Sequence, residues 1–168
     1  MESSTQSPTF AARLAGWDPA GLLYGAIVTA AVLVTAGGHS ESVREVVGAW
    51  AFVLGTYWLA HVYVHAAESQ FDGDRRHILH RSLVAARAEV AVLEGGIPAM
   101  VVFLAISTTD VDVSGAAKSA LLFTVALLAA FGWIGARHAG RSRAASWGEA
   151  FGASLLGVVM VIAKTLLH

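Results

Sequence analysis

The chain has 168 residues and a formal net charge of -1, with 56% hydrophobic and only 14% charged residues. Soluble domains carry roughly a quarter charged residues, so the composition argues against one, and near-neutrality removes the basic field that nucleic-acid binding would need. Cysteine is absent, which excludes disulfides, thiolate metal sites and cysteine nucleophiles.

In chain order, residues 1–18 form a polar leader and residues 19–168 a single transmembrane domain. The N-terminus is acidic and hydroxyl-rich, unlike a secretory signal. Ser7-Pro8 has the form of an N-cap followed by proline at the first helical position. Phe10, Leu14 and Trp17 then recur at helical spacing. They suit either a short interfacial helix or a leader without membrane contact. Asp18-Pro19 repeats the start signal and opens a first span over Ala20 to Ala36, which Gly37-Gly38 should end. Ser42 with Glu45 makes a capping box for a second span reaching Ala66. Asp72-Gly73-Asp74 is a turn. Arg75 to Ala88 has the pattern of a basic amphipathic helix whose Ile78, Leu79, Leu83 and Val84 face lipid or the bundle. A third span runs on to Ile106. Asp110 to Ser114 caps a fourth, Gly115 to Ala136, and Ser146 with Glu149 opens a fifth. Each run is close to the ~20 residues a helix needs to cross the hydrocarbon core. The expected fold is an all-α bundle of five transmembrane helices in contact with the lipid bilayer.

Basic residues give the threading. An odd number of spans places Arg13, then Arg75, Arg76, Arg81 and Arg87, then Arg137, Arg141 and Arg143 on one side, eight of eleven Lys and Arg. The positive-inside rule makes that side the cytoplasm, with the N-terminus inside and the C-terminus outside. Trp17, Trp133 and Trp147 fall at the same interface, as an aromatic belt does.

The chemistry concentrates in spans two and three. Glu94-Gly95-Gly96-Ile97-Pro98 places a carboxyl group in mid-span, where ionisable side chains are costly. Pro98 has no N–H to bond the carbonyl of Glu94, and Gly95 and Gly96 beside it let the helix kink. On span two, Tyr57, His61, His65 and Glu68 share a helical face. Histidines four apart can pass a proton or share a metal ion, so His61 and His65 are the candidate metal ligands. The zinc-protease pattern is absent, because Val62 stands where the general base would be. The alternative is that His65 and Glu68 snorkel to the surface and only His61 is buried. At 1.5 Å per residue His61 lies ~8 Å inside the boundary, between Glu89 at ~4 Å and Glu94 at ~12 Å. Glu89 and Glu94 stand ~140° apart on a straight helix, so both cannot face one point without distortion at the glycines. The expected pair is Glu94 with His61. Gly148 and Gly152 form a GxxxG motif that permits close helix contact, within the bundle or in a homo-oligomer.

His61-x-x-x-His65 and His77-x-x-His80 resemble, in spacing, the histidine boxes of membrane desaturases and hydroxylases. The paired His-His of those enzymes does not occur, and arginines that repel a metal cation flank the second pair. Leu23-Tyr24-Gly25-Ala26-Ile27, Trp58-Leu59-Ala60-His61-Val62-Tyr63, Glu94-Gly95-Gly96 and the terminal Lys164-Thr165-Leu166-Leu167-His168 together resemble a group of uncharacterised small multi-pass membrane proteins of high-GC Gram-positive bacteria. That resemblance implies the bacterial inner membrane, and the group has no established activity to carry over, so the cofactor stays open. The expected functions are a small channel or transporter for protons or a cation working through Glu94, His61, His65, Tyr57 and Glu89, a membrane scaffold or accessory subunit, and a histidine-metal enzyme.

Overall fold

The computed structural model of the chain describes residues 18–71 and 77–166. The leader, with Phe10, Arg13, Leu14 and Trp17, lies outside them, as do the Asp72–Asp74 turn, Arg75 and Arg76. Among the described residues the fold is all-α, with six helices: α1 (Pro19–His39), α2 (Val43–Phe71), α3 (Ile78–Ala88), α4 (Val90–Ser107), α5 (Val113–His138) and α6 (Arg143–Leu166).

The polar punctuation explains most helix ends. Asp18 caps α1, its carboxylate accepting from the Ala20 N–H at 3.0 Å, with Pro19 at the first position. Ser42 caps α2 by accepting from the Glu45 N–H at 3.3 Å. Several ends differ from expectation, among them that of α2, which runs past Ala66 to Phe71. Helix α1 continues through Gly37-Gly38 and stops only where the Ser40 N–H reaches the Ala36 carbonyl at 2.9 Å. Gly37 is buried, and burial keeps a glycine helical where solvent would let it fray. The start of α6 also shifts, because Ser142 is the residue that accepts from the Ala145 N–H, at 3.3 Å. Ser146 is then interior and fully buried, donating to the Ser142 carbonyl at 3.0 Å. Glu149, freed of a capping role, pairs with Arg141 at 3.2 Å on the surface.

Helices α3 and α4 form one apolar path, Ile78–Ser107, interrupted at a single residue. That residue is Glu89, with φ -88° and ψ 8°. Its N–H still bonds Ala85 at 2.9 Å, while its carbonyl accepts from Val92 three residues on at 3.1 Å. The break therefore falls at Glu89. Gly95, Gly96 and Pro98 lie inside the uninterrupted helix α4.

Those glycines serve close approach. A Cβ on Gly25 would run into the Val92 carbonyl, and one on Gly95 into the main chain of Leu22. Helices α1 and α4 thus lie side by side at near backbone contact, as small residues permit between apolar helices. Where α2 joins them, Trp50 Nε1 donates to Thr29 Oγ1 at 2.9 Å. A Cβ on Gly96 would stand 2.6 Å from that same Thr29 oxygen. One end of the bundle is filled by Leu33, Val46, Met100, Phe103, Ala116 and Ala120. At the other end Val62 and Ala66 of α2 pack on Ala85 of α3. Helix α6 runs antiparallel along α5, with Gly132 against Ala150 and Ala153, and Gly157 against Val125.

Four stretches are long and apolar enough to cross a membrane: α1, α2, the α3–α4 path and α5. Their outward surface suits lipid, with Phe52, Leu59, Tyr63, Val101 and Leu122 all exposed. Ile78, Leu79, Leu83 and Val84 of α3 are exposed as well, while Arg81 turns inward. The apolar face of α3 therefore looks away from the bundle.

Candidate functional site

Helix α2 supplies three members of the site at successive i, i+4 positions, Tyr57, His61 and His65, which the 3.6-residue repeat stacks on one face. The Glu89 break supplies the fourth. Freed from the regular helical register, Glu89 reaches across to α2 and meets both histidines. One carboxylate oxygen stands 3.3 Å from His61 Nδ1 and the other 3.2 Å from His65 Nδ1. The Glu89 side chain is 14% exposed, against 30% for His61 and 50% for His65. The carboxylate is thus the innermost member, and the histidines lead outward from it. Above them the Tyr57 ring lies 4.7 Å from the His61 ring, and Tyr24 of α1 lies 5.6 Å from His61 and 6.4 Å from Tyr57.

An ionised carboxylate can only accept hydrogen bonds, so in that state each ring presents Nδ1–H to it. Each Nε2 is then left for a further partner. Protonation of either ring, or of the carboxyl group, redistributes the same few protons among three groups in contact. Glu89 also stands at the N-terminus of α4, where the helix dipole favours negative charge. Glu68, one step further along α2, is exposed.

Among the described residues no group of three or more histidine, aspartate or glutamate side chains is arranged to hold an ion. Nδ1 of His61 and Nδ1 of His65 are committed to separate oxygens of Glu89, which leaves Nε2 as the ring atom that a metal ion would have to take. His77 is committed too, capping α3 by accepting from the Leu79 N–H at 3.3 Å.

Glu94 is elsewhere. It is exposed and lines an open cavity of about 280 Å³ with Leu22, Gly95, Ile97, Pro98, Leu127 and Phe131, between α1, α4 and α5. The expected pairing of Glu94 with His61 is not made. The histidines take the other carboxylate, Glu89. Gly95 and Gly96 bring no distortion that would turn both inward. Tyr24 is the member that sequence reasoning missed. Starting from Pro19, it lies ~8 Å along its helix at 1.5 Å per residue, the depth assigned to His61, and that coincidence was the available signal.

The comparisons with known proteins come out alike. The chain matches no protein-family model, no curated protein and no solved structure.

Gly148 and Gly152 both face open space, with nothing within 4 Å of a Cβ built on either. Trp147 and Phe151 are exposed on the same helix. Between α5 and α6, close small-residue contact is made instead at Gly132 and Gly157.

Proposed function

We propose that the chain is a small proton-moving protein of the bacterial inner membrane. It crosses the bilayer five times, with its N-terminus in the cytoplasm and C-terminus outside, α6 being the fifth span. One observation carries the functional reading: a single, mostly buried carboxylate, Glu89, is shared by two histidines of graded exposure. Protonatable groups in contact at a membrane boundary are the usual parts of a proton relay. We order the relay by exposure, from the more open His65 to Glu89 and His61, with Tyr57 and Tyr24 against His61. The threading rests on the eight arginines that the sequence places on one side, and the choice of membrane on the resemblance noted from the sequence.

Purified protein in liposomes with an entrapped pH-sensitive dye tests the reading. Wild type is expected to dissipate an imposed proton gradient once valinomycin and potassium clamp the membrane potential. Glu89→Gln keeps the shape of the side chain and removes its titration, and its rate should fall by about tenfold or more. Glu94→Gln should conduct like wild type. If Glu89→Gln conducts normally and only its thermal stability drops, Glu89 is a structural tie. The chain would then be a membrane scaffold or accessory subunit.

A further inference from the structure

A second groove, of about 330 Å³, lies between α1, α5 and α6. Along α5 it is lined from Phe131 to Ala139, a distance of ~12 Å at 1.5 Å per residue. Leu23, Gly132, Gly135, Ala136 and Ala153 make its walls small or apolar. A Cβ on Gly135 would meet nothing within 4 Å, so no described side chain fills that part. Arg141, from the α5–α6 turn, and Glu149, from the second turn of α6, line the groove as well. Their charged ends meet, with Arg141 Nη1 3.2 Å from Glu149 Oε1, and both side chains are about half exposed. Arg137 adds an exposed guanidinium whose Nη1 donates to the Arg141 carbonyl at 3.1 Å. On the same stretch of α5 and α6, Trp133 and Trp147 bring their rings to 4.7 Å, and indoles gather at headgroup level. An apolar slot and an accessible ion pair thus share one opening at the bilayer boundary.

Water in the groove would wet its apolar walls, and hydrocarbon alone would leave the ion pair facing acyl chains. An amphiphile satisfies both parts. The pair also says which headgroup fits. A guanidinium has five N–H donors and a carboxylate about four acceptor sites, so a single contact leaves most of both for a second partner. An exposed ion pair holds loosely and can open to admit one. A headgroup carrying a phosphodiester and a primary ammonium group presents the complementary charges. Its oxyanion meets Arg141 and Arg137, and its ammonium meets Glu149. A headgroup with the phosphodiester alone would match the arginines and set its charge against Glu149.

We infer that the groove between α1, α5 and α6 holds one phospholipid with an ammonium headgroup, of the phosphatidylethanolamine class. The site rests on the proposed membrane setting and not on the Glu89 relay. The full chain, delipidated in mild detergent, is given equal amounts of phosphatidylethanolamine and phosphatidylglycerol and measured by native mass spectrometry. One phosphatidylethanolamine per chain is expected, favoured over phosphatidylglycerol by about threefold or more. Glu149→Gln should remove that preference. Arg141→Gln should lower retention of both lipids by about threefold or more. Gly135→Leu, which fills the groove without touching a charge, should lower retention of both as well. Leucine is a better helix former than glycine, and a circular dichroism spectrum matching wild type shows that the variant is folded. Glu89→Gln should retain lipid as wild type does. No surviving adduct, equal adducts of the two lipids, or Gly135→Leu retaining lipid like wild type would each overturn the assignment. So would a dimer that disappears in Gly135→Leu, because a second copy of the chain would then be the occupant. Proton flux of the Gly135→Leu protein in liposomes reports on the Glu89 relay separately.

Discussion

At the scale of single residues, Glu89 divides its contacts between two imidazoles that differ in exposure, and that difference has consequences. His61, 30% exposed against 50% for His65, is the histidine that also stacks on Tyr57 and Tyr24. In the proposed relay, a proton on its way inward passes it. A proton arriving from water can reach Glu89 directly when the outer ring is removed, since water can take the place of an exposed imidazole. His61→Ala is therefore expected to reduce liposome proton flux close to the level of Glu89→Gln, and His65→Ala only about twofold to threefold. Equal loss in both variants would mean that the histidines act as one unit. Equal retention would remove them from the path. Much of this site was legible in the sequence, because Tyr57, His61 and His65 follow helical spacing that needs no tertiary knowledge. The choice of carboxylate was not. Glu94 advertises itself by depth and by the glycines and proline beside it. Glu89 reaches the histidines through a one-residue break that no local signal marks, since Ala88-Glu89-Val90 contains neither glycine nor proline.

At the scale of the helix, Gly25, Gly95 and Gly96 let α1 and α4 meet at backbone distance, and Trp50 fastens α2 to that pair. A side chain at Gly25 has no rotamer that avoids the Val92 carbonyl, so the helices must separate to admit it. Gly25→Val is expected to cost about 3 kcal/mol of stability, read as a large drop in the thermal unfolding midpoint in detergent. Gly148→Val, built on open space, should leave the midpoint within the error of measurement. The hydrogen bond from Trp50 to Thr29 is a smaller matter. Hydrogen bonds between membrane helices average about 0.6 kcal/mol, so Trp50→Phe should be mild, and much milder than Gly25→Val. The reverse order would make the polar clasp the main tie and the glycine contact incidental. The sequence made Gly95 and Gly96 visible as a place where the chain could deform. Their use as a contact surface depends on Leu22, Thr29 and Trp50 arriving from two other helices, which spacing within α4 cannot disclose.

For the whole molecule, the question is how many times the chain crosses the bilayer. Helix type and the order of apolar runs were readable because a span imposes length and composition on the sequence directly. Four helices meet those demands within the described residues. Helix α6 is the one whose crossing is in question. It is 24 residues long, ample for a span at 1.5 Å per residue, and it packs on α5 where Gly132 meets Ala150 and Ala153 and Gly157 meets Val125. Its first turns carry Arg143 and an exposed Glu149 paired with Arg141, so its start belongs in water. The absence of cysteine makes the chain its own background for single-cysteine labelling. Asp110→Cys between α4 and α5, Ser142→Cys between α5 and α6, and Leu166→Cys at the end of α6 report three levels of the threading. With a membrane-impermeant maleimide on intact cells, Asp110→Cys and Leu166→Cys should label. Ser142→Cys should label only after permeabilisation. If Leu166→Cys also needs permeabilisation, α6 lies on the cytoplasmic surface and the count is four. If all three invert, the arginine bias has been read with the wrong sign, and the exposed face of His65 opens to the other side of the membrane.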